Sequence, residues 1–300
     1  MRSHAIRKTA SDRILNAINI GVLSLVLLVV LYPLYFVIIA SFSDPNAVYN
    51  GQVLFWPKGF VLEGYQRIFS DHIIWRSYLN TAIYTVCGTA IALFLTMSIA
   101  FPLSRRYFKG RSVVTILLII PMYFSGGLIP TYIVVRNLGL LGSPFAVILL
   151  GSLSIFNVII TRTFLQGNIP QEMDEAAYID GASHFRYFAS FVLPLSKAII
   201  AVLVLYYGVA YWNDYFTAMI YINTEEWYPL QLRLRELLIA SQMLASMEAT
   251  EDVMYAAYMQ RVADLIKYGM IVISTLPVMI LYPILQKYFV QGVMIGSLKG

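Results

Sequence analysis

The sequence predicts an all-α, polytopic membrane protein with six transmembrane helices, on three observations. Hydrophobic residues make up 59% of the 300-residue chain and charged residues 12%, where soluble domains carry roughly 25% charged residues; the mean hydropathy is +0.71. The apolar residues fall in runs long enough to cross a bilayer, which takes about 20 residues of helix. The basic residues gather at the ends of those runs, where membrane topology uses them. That placement accounts for the net charge of +5 without a nucleic-acid partner. Cys87 is the single cysteine, and His4, His72 and His184 are scattered, so neither a disulfide framework nor a metal site is expected.

Taken in order, the first run opens after Arg13 and meets no charge until Asp44. It is longer than the roughly 7–15 apolar residues of a signal-peptide core, so it reads as a span at 14–41, with a kink expected at Pro33. The second span is expected at 78–104. The third, 112–135, is interrupted by Pro121, Gly126, Gly127 and Pro130; such breaks persist in a membrane only where protein or a water-filled cavity satisfies the freed backbone groups. Spans four and five are expected at 144–165 and 195–221. The sixth, 266–286, begins beside Asp264 and Lys267 and contains Pro277 and Pro283. No internal repeat appears, and residues 14–300 read as one membrane domain behind a short tail, 1–13.

Orientation follows from lysine and arginine. The tail carries Arg2, Arg7, Lys8 and Arg13; the short connection after span two carries Arg105, Arg106, Lys109 and Arg111; the connection after span four brings Arg162, Arg186 and Lys197. Six spans put all three on one side, so both termini and the loop 166–194 are expected in the cytoplasm. The long connections, 44–77 and 222–262, mix signs and include Glu225, Glu226, Glu248, Glu251 and Asp252. In the first, Trp56-Pro57-Lys58-Gly59 reads as a turn. In the second, 228–247 has the apolar spacing of a short amphipathic helix.

Between spans four and five the chain turns charged. Pro170 is suited to a helix start, with Glu172, Asp174 and Glu175 where the helix dipole favours acids. Ala176 and Ala177 continue it, Asp180 follows, and Gly181 can take the left-handed conformation that ends a helix. A second helix through His184 and Arg186 would reach Leu193-Pro194. Small alanines on one face permit close approach by a soluble protein. The same segment also admits a plainer reading, as an interfacial helix lying on the membrane. Its acidic first turns fit anionic headgroups poorly, because such helices favour Lys and Arg on the polar face.

Glu175-Ala176-Ala177, three residues, Gly181, nine residues, Phe191, one residue and Leu193-Pro194 together resemble the EAA motif of permease subunits of bacterial ABC importers. The one departure is Phe191, where the family pattern has Ile. The likeness extends along the chain: Phe55-Trp56-Pro57, Asn80-Thr81, Ile129-Pro130-Thr131-Tyr132, Tyr211-Trp212-Asn213-Asp214-Tyr215 and the closing Tyr288 to Gly300 are similar to the shorter permease subunit of maltose-type carbohydrate importers. The resemblance implies that the EAA helix is a coupling helix seated in a cytoplasmic ATPase, with Glu175 meeting a basic residue and Gly181 making the bend. It implies a second homologous permease, two ABC ATPase subunits that bind ATP and Mg, an external solute-binding protein, and a sugar substrate, an oligosaccharide by the family. This chain itself would bind no cofactor and catalyse nothing. Consistently, it has no GxxxxGK[ST] phosphate loop and no catalytic triad or paired-carboxylate constellation.

Candidates for the sugar pathway are the polar and aromatic residues within the spans. Asn213 and Asp214 lie near the outer end of span five, and an intramembrane charge is a functional-site hypothesis by default; capping or pairing is the alternative. Tyr211, Trp212 and Tyr215 suit either sugar stacking or an aromatic belt at the headgroups. Asn80, Tyr84 and Asn157 suit interhelical hydrogen bonds as well as substrate contact. Gly126 and Gly127 suit a gate as well as close packing. Gly292 and Gly296 form a GxxxG past the last expected span and carry no reading. A self-sufficient secondary transporter or channel is the competing function. It calls for buried charges in several spans or matching broken repeats, and Asp214 is the one clear case.

Overall fold

The computed structural model describes residues 10–246 and 253–297, and these are helices joined by turns, with no strand among the described residues. Arg2, His4, Arg7, Lys8, Glu248, Glu251, Asp252, Lys299 and Gly300 lie outside them.

Helix α1 (Ala10–Ser41) runs unbroken through Pro33. Asp44 then caps α2 (Pro45–Tyr49), accepting from the Asn46 N–H at 2.8 Å, with Pro45 pre-set at the first helical position. The predicted turn at 56–59 closes on Gly59, at φ +63°, and α3 (Glu63–Ser70) follows. Asp71 caps α4 (His72–Ser104), which starts six residues ahead of the expected boundary because that capping carboxylate, rather than the first apolar residue, sets it. At 33 residues and 1.5 Å per residue, α4 is about 50 Å long, more than the roughly 30 Å of hydrocarbon it must cross.

The expected third span, 112–135, is instead two helices, α5 (Arg111–Tyr123) and α6 (Leu128–Asn137), set at 114° to each other. Pro121 is accommodated inside α5; the turn falls at Gly127, whose φ of +83° only glycine adopts without strain. The fourth is likewise divided into α7 (Pro144–Leu150) and α8 (Ile155–Asn168), each opened by a serine cap, Ser143 and Ser154, and bent by 45°. The loop region holds α9 (Gln171–Ile179), α10 (His184–Tyr187), a π-helical stretch Phe188–Val192 and the short α11 (Leu193–Leu195). The expected fifth span, 195–221, resolves into α12 (Lys197–Asn213) and α13 (Phe216–Tyr221), parted at Asp214, whose Oδ1 accepts the Thr217 N–H at 3.0 Å. At its other end α12 turns by 80° from the 184–195 segment. A single 3-10 turn at Glu225–Trp227 leads to α14 (Leu230–Ser246), the expected amphipathic helix. The last helix, α15 (Val253–Ser297), begins well ahead of residue 266 and contains Gly292 and Gly296. By length and composition three helices can each cross a membrane, and the bent pairs raise the number to as many as six.

The residues divide into two compact units. One comprises the chain up to Ser70 with Leu238–Ile273, the other Asp71–Leu237 with the residues from Ser274. In the first, α3 and α15 meet so closely at Gly64 that a Cβ there would lie 2.5 Å from the Leu265 carbonyl oxygen. Phe42 stacks between Phe60 and Tyr65, at 5.9 and 5.0 Å, and Arg261 pairs with Asp44 at 3.2 Å. The second unit carries the motifs. There α4 packs against α8 and α12 around a core including Ala92, Ala100, Val158, Leu165 and Leu203. The Tyr207 hydroxyl ties all three helices together, hydrogen-bonded to Thr96 Oγ1 at 2.7 Å and accepting the Ser154 N–H at 3.1 Å.

Candidate functional site

Two places in the second unit collect the sequence candidates. The first is the loop after α8. Helix α9 ends in a Schellman turn: Gly181, at φ +76°, donates its N–H to the Tyr178 carbonyl and Ala182 donates to Ala177, at 3.0 and 2.9 Å. Ser183 then caps α10. This closure splits the EAA motif by face. Glu172, Glu175, Ala176, Asp180, Gly181, Arg186 and Pro194 are exposed, whereas Asp174 and Ala177 are buried, Ala177 against the α4–α8–α12 core. The alanine pair thus does two jobs, one residue seating the helix and the other leaving its outer face bare.

Sequence reasoning missed what surrounds that bare face. Tyr178, Ile179 and Phe185 are 72%, 83% and 78% exposed, an apolar tip on an otherwise charged loop. His184 stacks between Tyr107 and Tyr178, with centroids at 5.4 and 6.5 Å. These rings, with Asp174, Glu175 and Ile179, line a hollow of about 480 Å³. Burial and then the Asp174 charge push the Tyr107 hydroxyl pKa up, so it stays a neutral donor beside that carboxylate. The signal was available as Tyr178 and Ile179 directly after Glu175-Ala176-Ala177 and Phe185 four residues after Gly181.

Arg105, one of the four cations of the short connection, is 1% exposed. Its Nη1 donates to the Ile169 carbonyl, at the entry to α9, at 3.3 Å, and its guanidinium lies over the Phe101 and Tyr187 rings at 5.2 and 5.8 Å. Arg162 makes a similar tie, its Nε donating to Leu103 O at 3.1 Å. Both arginines fasten helix ends, Arg105 at the entry to α9 and Arg162 at the end of α4. Arg106 and Lys109 remain exposed and Arg111 half-buried.

The second place is the break between α12 and α13. Tyr211, Asn213 and Asp214 converge there with Gly151 and Ala210 around a cavity of about 240 Å³. The Tyr211 ring is wedged between Gly88 of α4 and Gly151, and its hydroxyl donates to the Ile148 carbonyl at 2.6 Å. Asn213 is exposed, and its Oδ1 accepts from Gln231 at 3.4 Å. The other pathway candidates are not part of this cavity. Trp212 is buried and donates Nε1–H to the Ser274 carbonyl at 2.7 Å, so its ring is packed within the chain. Asn80 and Tyr84 are buried and hold the backbone of the 3-10 turn: Asn80 donates to Glu226 O and Tyr228 O at 2.8 and 3.2 Å, and Tyr84 to Trp227 O at 2.9 Å. Asn157 is buried in the first turn of α8. Gly126 and Gly127 sit exposed at the α5–α6 turn.

No protein-family model matches the sequence. Individual proteins do. The chain is 40% identical over 297 residues to protein LplC of Bacillus subtilis, covering 99% of each. It is 39% identical over 289 residues to the polygalacturonan/rhamnogalacturonan transport system permease protein YtcP of the same organism, covering 96% of this chain and 99% of that one. Among solved structures it is similar to the crystal structure of a bacterial ABC transporter involved in the import of the acidic polysaccharide alginate. The TM-score is 0.83 at 32% identity, over 94% of this chain and 98% of the other.

Proposed function

The chain belongs to the permease subunits of bacterial ABC carbohydrate importers, and from that premise we propose that it forms half of an ATP-driven oligosaccharide pathway. As a permease subunit it is a transport component of the cytoplasmic membrane and not an enzyme. A second homologous permease completes the pathway, an external solute-binding protein delivers the sugar, and two ATPase subunits bind ATP and Mg on the cytoplasmic side. Residues 14–300 act as one transport domain with both termini in the cytoplasm.

The observation that carries the reading is the split of α9. Glu175, Ala176 and the apolar tip are turned out, while Ala177 and Asp174 are buried, so a partner that grips the outer face moves a helix already seated on the α4–α8–α12 core. Closure of the ATPase dimer would carry α9 with it. The turns at Ser196, between α11 and α12, and at Asp214 supply positions at which a rigid-body swing can be absorbed. The sugar meets Tyr211, Asn213 and Asp214 on its way. An oligosaccharide substrate is supported by YtcP, named for polygalacturonan/rhamnogalacturonan transport, and by the similar solved transporter, involved in the import of the acidic polysaccharide alginate.

The test is affinity purification of the gently solubilised chain with ATPase and uptake assays alongside. Wild type is expected to bring down a second permease and an ATPase. Glu175→Lys and Gly181→Asp are expected to lose the ATPase and uptake while inserting normally; normal transport by either would remove the docking role from this loop. Recovery of the chain alone, still moving solute without ATP, would favour a secondary transporter.

A further inference from the structure

Helices α4, α5, α8 and α9 all begin or end around one hollow of about 490 Å³, lined by Arg105, Arg106, Arg111, Gln166, Gln171 and Glu172 among others. Three guanidinium groups face one carboxylate there. Among the described residues none of the three arginines has a salt bridge to an acid, and Arg105, 1% exposed, leaves Nε and Nη2 without a hydrogen-bond partner. Two helix N-termini open onto the same space, those of α5 at Arg111 and α9 at Gln171, and neither has a side-chain cap. Each adds the positive end of a helix dipole. The arginines and the helix ends favour an anion, and Glu172 is the one lining carboxylate set against them.

The rim of the hollow says which kind. Helix α5 starts there and buries no residue in the chain; Val113, Ile116, Leu117 and Ile120 are 63%, 59%, 60% and 46% exposed. Their spacing of three, one and three residues makes a single apolar stripe down the helix. A cationic hollow at the start of a helix that carries an exposed apolar stripe matches a ligand with an anionic head and an apolar tail. It also lies between the end of α4 and the start of α5, the ends of two segments apolar enough to cross a membrane. The geometry points to a binding site for one anionic phospholipid, its phosphodiester among Arg105, Arg106 and Arg111 and an acyl chain along α5. Basic pockets between span ends commonly hold such headgroups. Seated there, the lipid would neutralise charge at the entry to α9 and so bear on the stiffness of the loop, independently of which sugar is carried.

The measurement is native mass spectrometry of the purified full-length chain titrated with dioleoyl phosphatidylglycerol, against dioleoyl phosphatidylcholine and inorganic phosphate. Wild type is expected to retain phosphatidylglycerol preferentially. The Arg106→Gln/Arg111→Gln pair is expected to weaken that retention roughly thirtyfold, since each surface cation contributes a similar share, with phosphatidylcholine unchanged. Arg106→Gln alone, outside any helix, is expected to weaken it about fivefold, which keeps the inference testable should the pair fold poorly. Equal retention of the two lipids by wild type, or the same phosphatidylglycerol affinity in wild type and Arg106→Gln, would overturn the site. Displacement of the lipid by inorganic phosphate regardless of acyl chains would reassign it to a soluble anion. Loss of a copurifying ATPase from Arg106→Gln with lipid retained would reassign it to a protein carboxylate. The lipid-retention outcomes are read without transport or an ATPase, so they stand apart from the fate of the coupling proposal.

Discussion

The Tyr211 ring lies flat between two glycines, and a Cβ added at Gly88 would overlap it. Its hydroxyl reaches the Ile148 carbonyl at 2.6 Å, at the broken end of α7. One side chain therefore locks α4, the α7–α8 break and α12 together, and it can do so only because two neighbours have no side chain. Gly88→Leu forces the ring out of this slot and is expected to destabilise the solubilised protein by about 1–3 kcal/mol, the usual cost of overpacking, read as a lowered thermal unfolding midpoint. An unchanged midpoint would show that the slot yields freely. Close by in the chain, Asn213 is exposed, its Nδ2 donating to the Val209 carbonyl at 2.9 Å and its Oδ1 accepting from Gln231 at 3.4 Å. Asn213→Ala is expected to cost less than about 0.5 kcal/mol, as exposed substitutions do, while changing oligosaccharide uptake several-fold if the adjoining cavity is on the pathway. Equal uptake across the candidate sugars would take Asn213 off it.

At the scale of elements, α9 and α10 behave as a clip with an inner and an outer face. The inner face is anchored by Ala177 and Tyr187 in the core and by the Arg105 tie to Ile169. Ile179 and Phe185 on the outer face are 83% and 78% exposed, so removing their apolar side chains forfeits almost no burial within the chain. Ile179→Asp and Phe185→Asp are expected to leave thermal stability within about 0.5 kcal/mol and to abolish copurification of an ATPase. If the ATPase is retained, the apolar tip serves the membrane surface instead. The charged loop, its proline start and its glycine stop were legible from spacing alone. Which alanine turns inward was not, because a nine-residue helix is too short to display a period, and the core it sits on is assembled from helices far off in sequence.

For the molecule as a whole, hydrophobic runs located the helices but not their breaks. The third expected span carried visible proline and glycine interruptions, yet its 114° turn depends on Gly127 adopting φ +83°, one of several conformations the same residues permit. The breaks at Asp214 and Ser196 left weaker marks, a single acid and a single serine. The early start of α15 was hidden for the opposite reason: Gln260, Arg261, Asp264 and Lys267 interrupt its apolar residues, Arg261 paired to Asp44 at 3.2 Å and Lys267 to Asp264, and a hydropathy window that crosses them reads as loop.

By itself the sequence determined the class of the protein, the order of its apolar segments and the loop that marks its family. These follow from composition and local spacing, since a bilayer demands long apolar helices and a capped helix demands particular residues at its ends. Tertiary structure alone decided that Arg105 is buried, that Tyr211 is a wedge, that Asn80 and Tyr84 hold backbone, and that Ile179 and Phe185 stand bare. Burial depends on which distant helices meet, and a side chain's partner in space leaves no mark beside it in sequence.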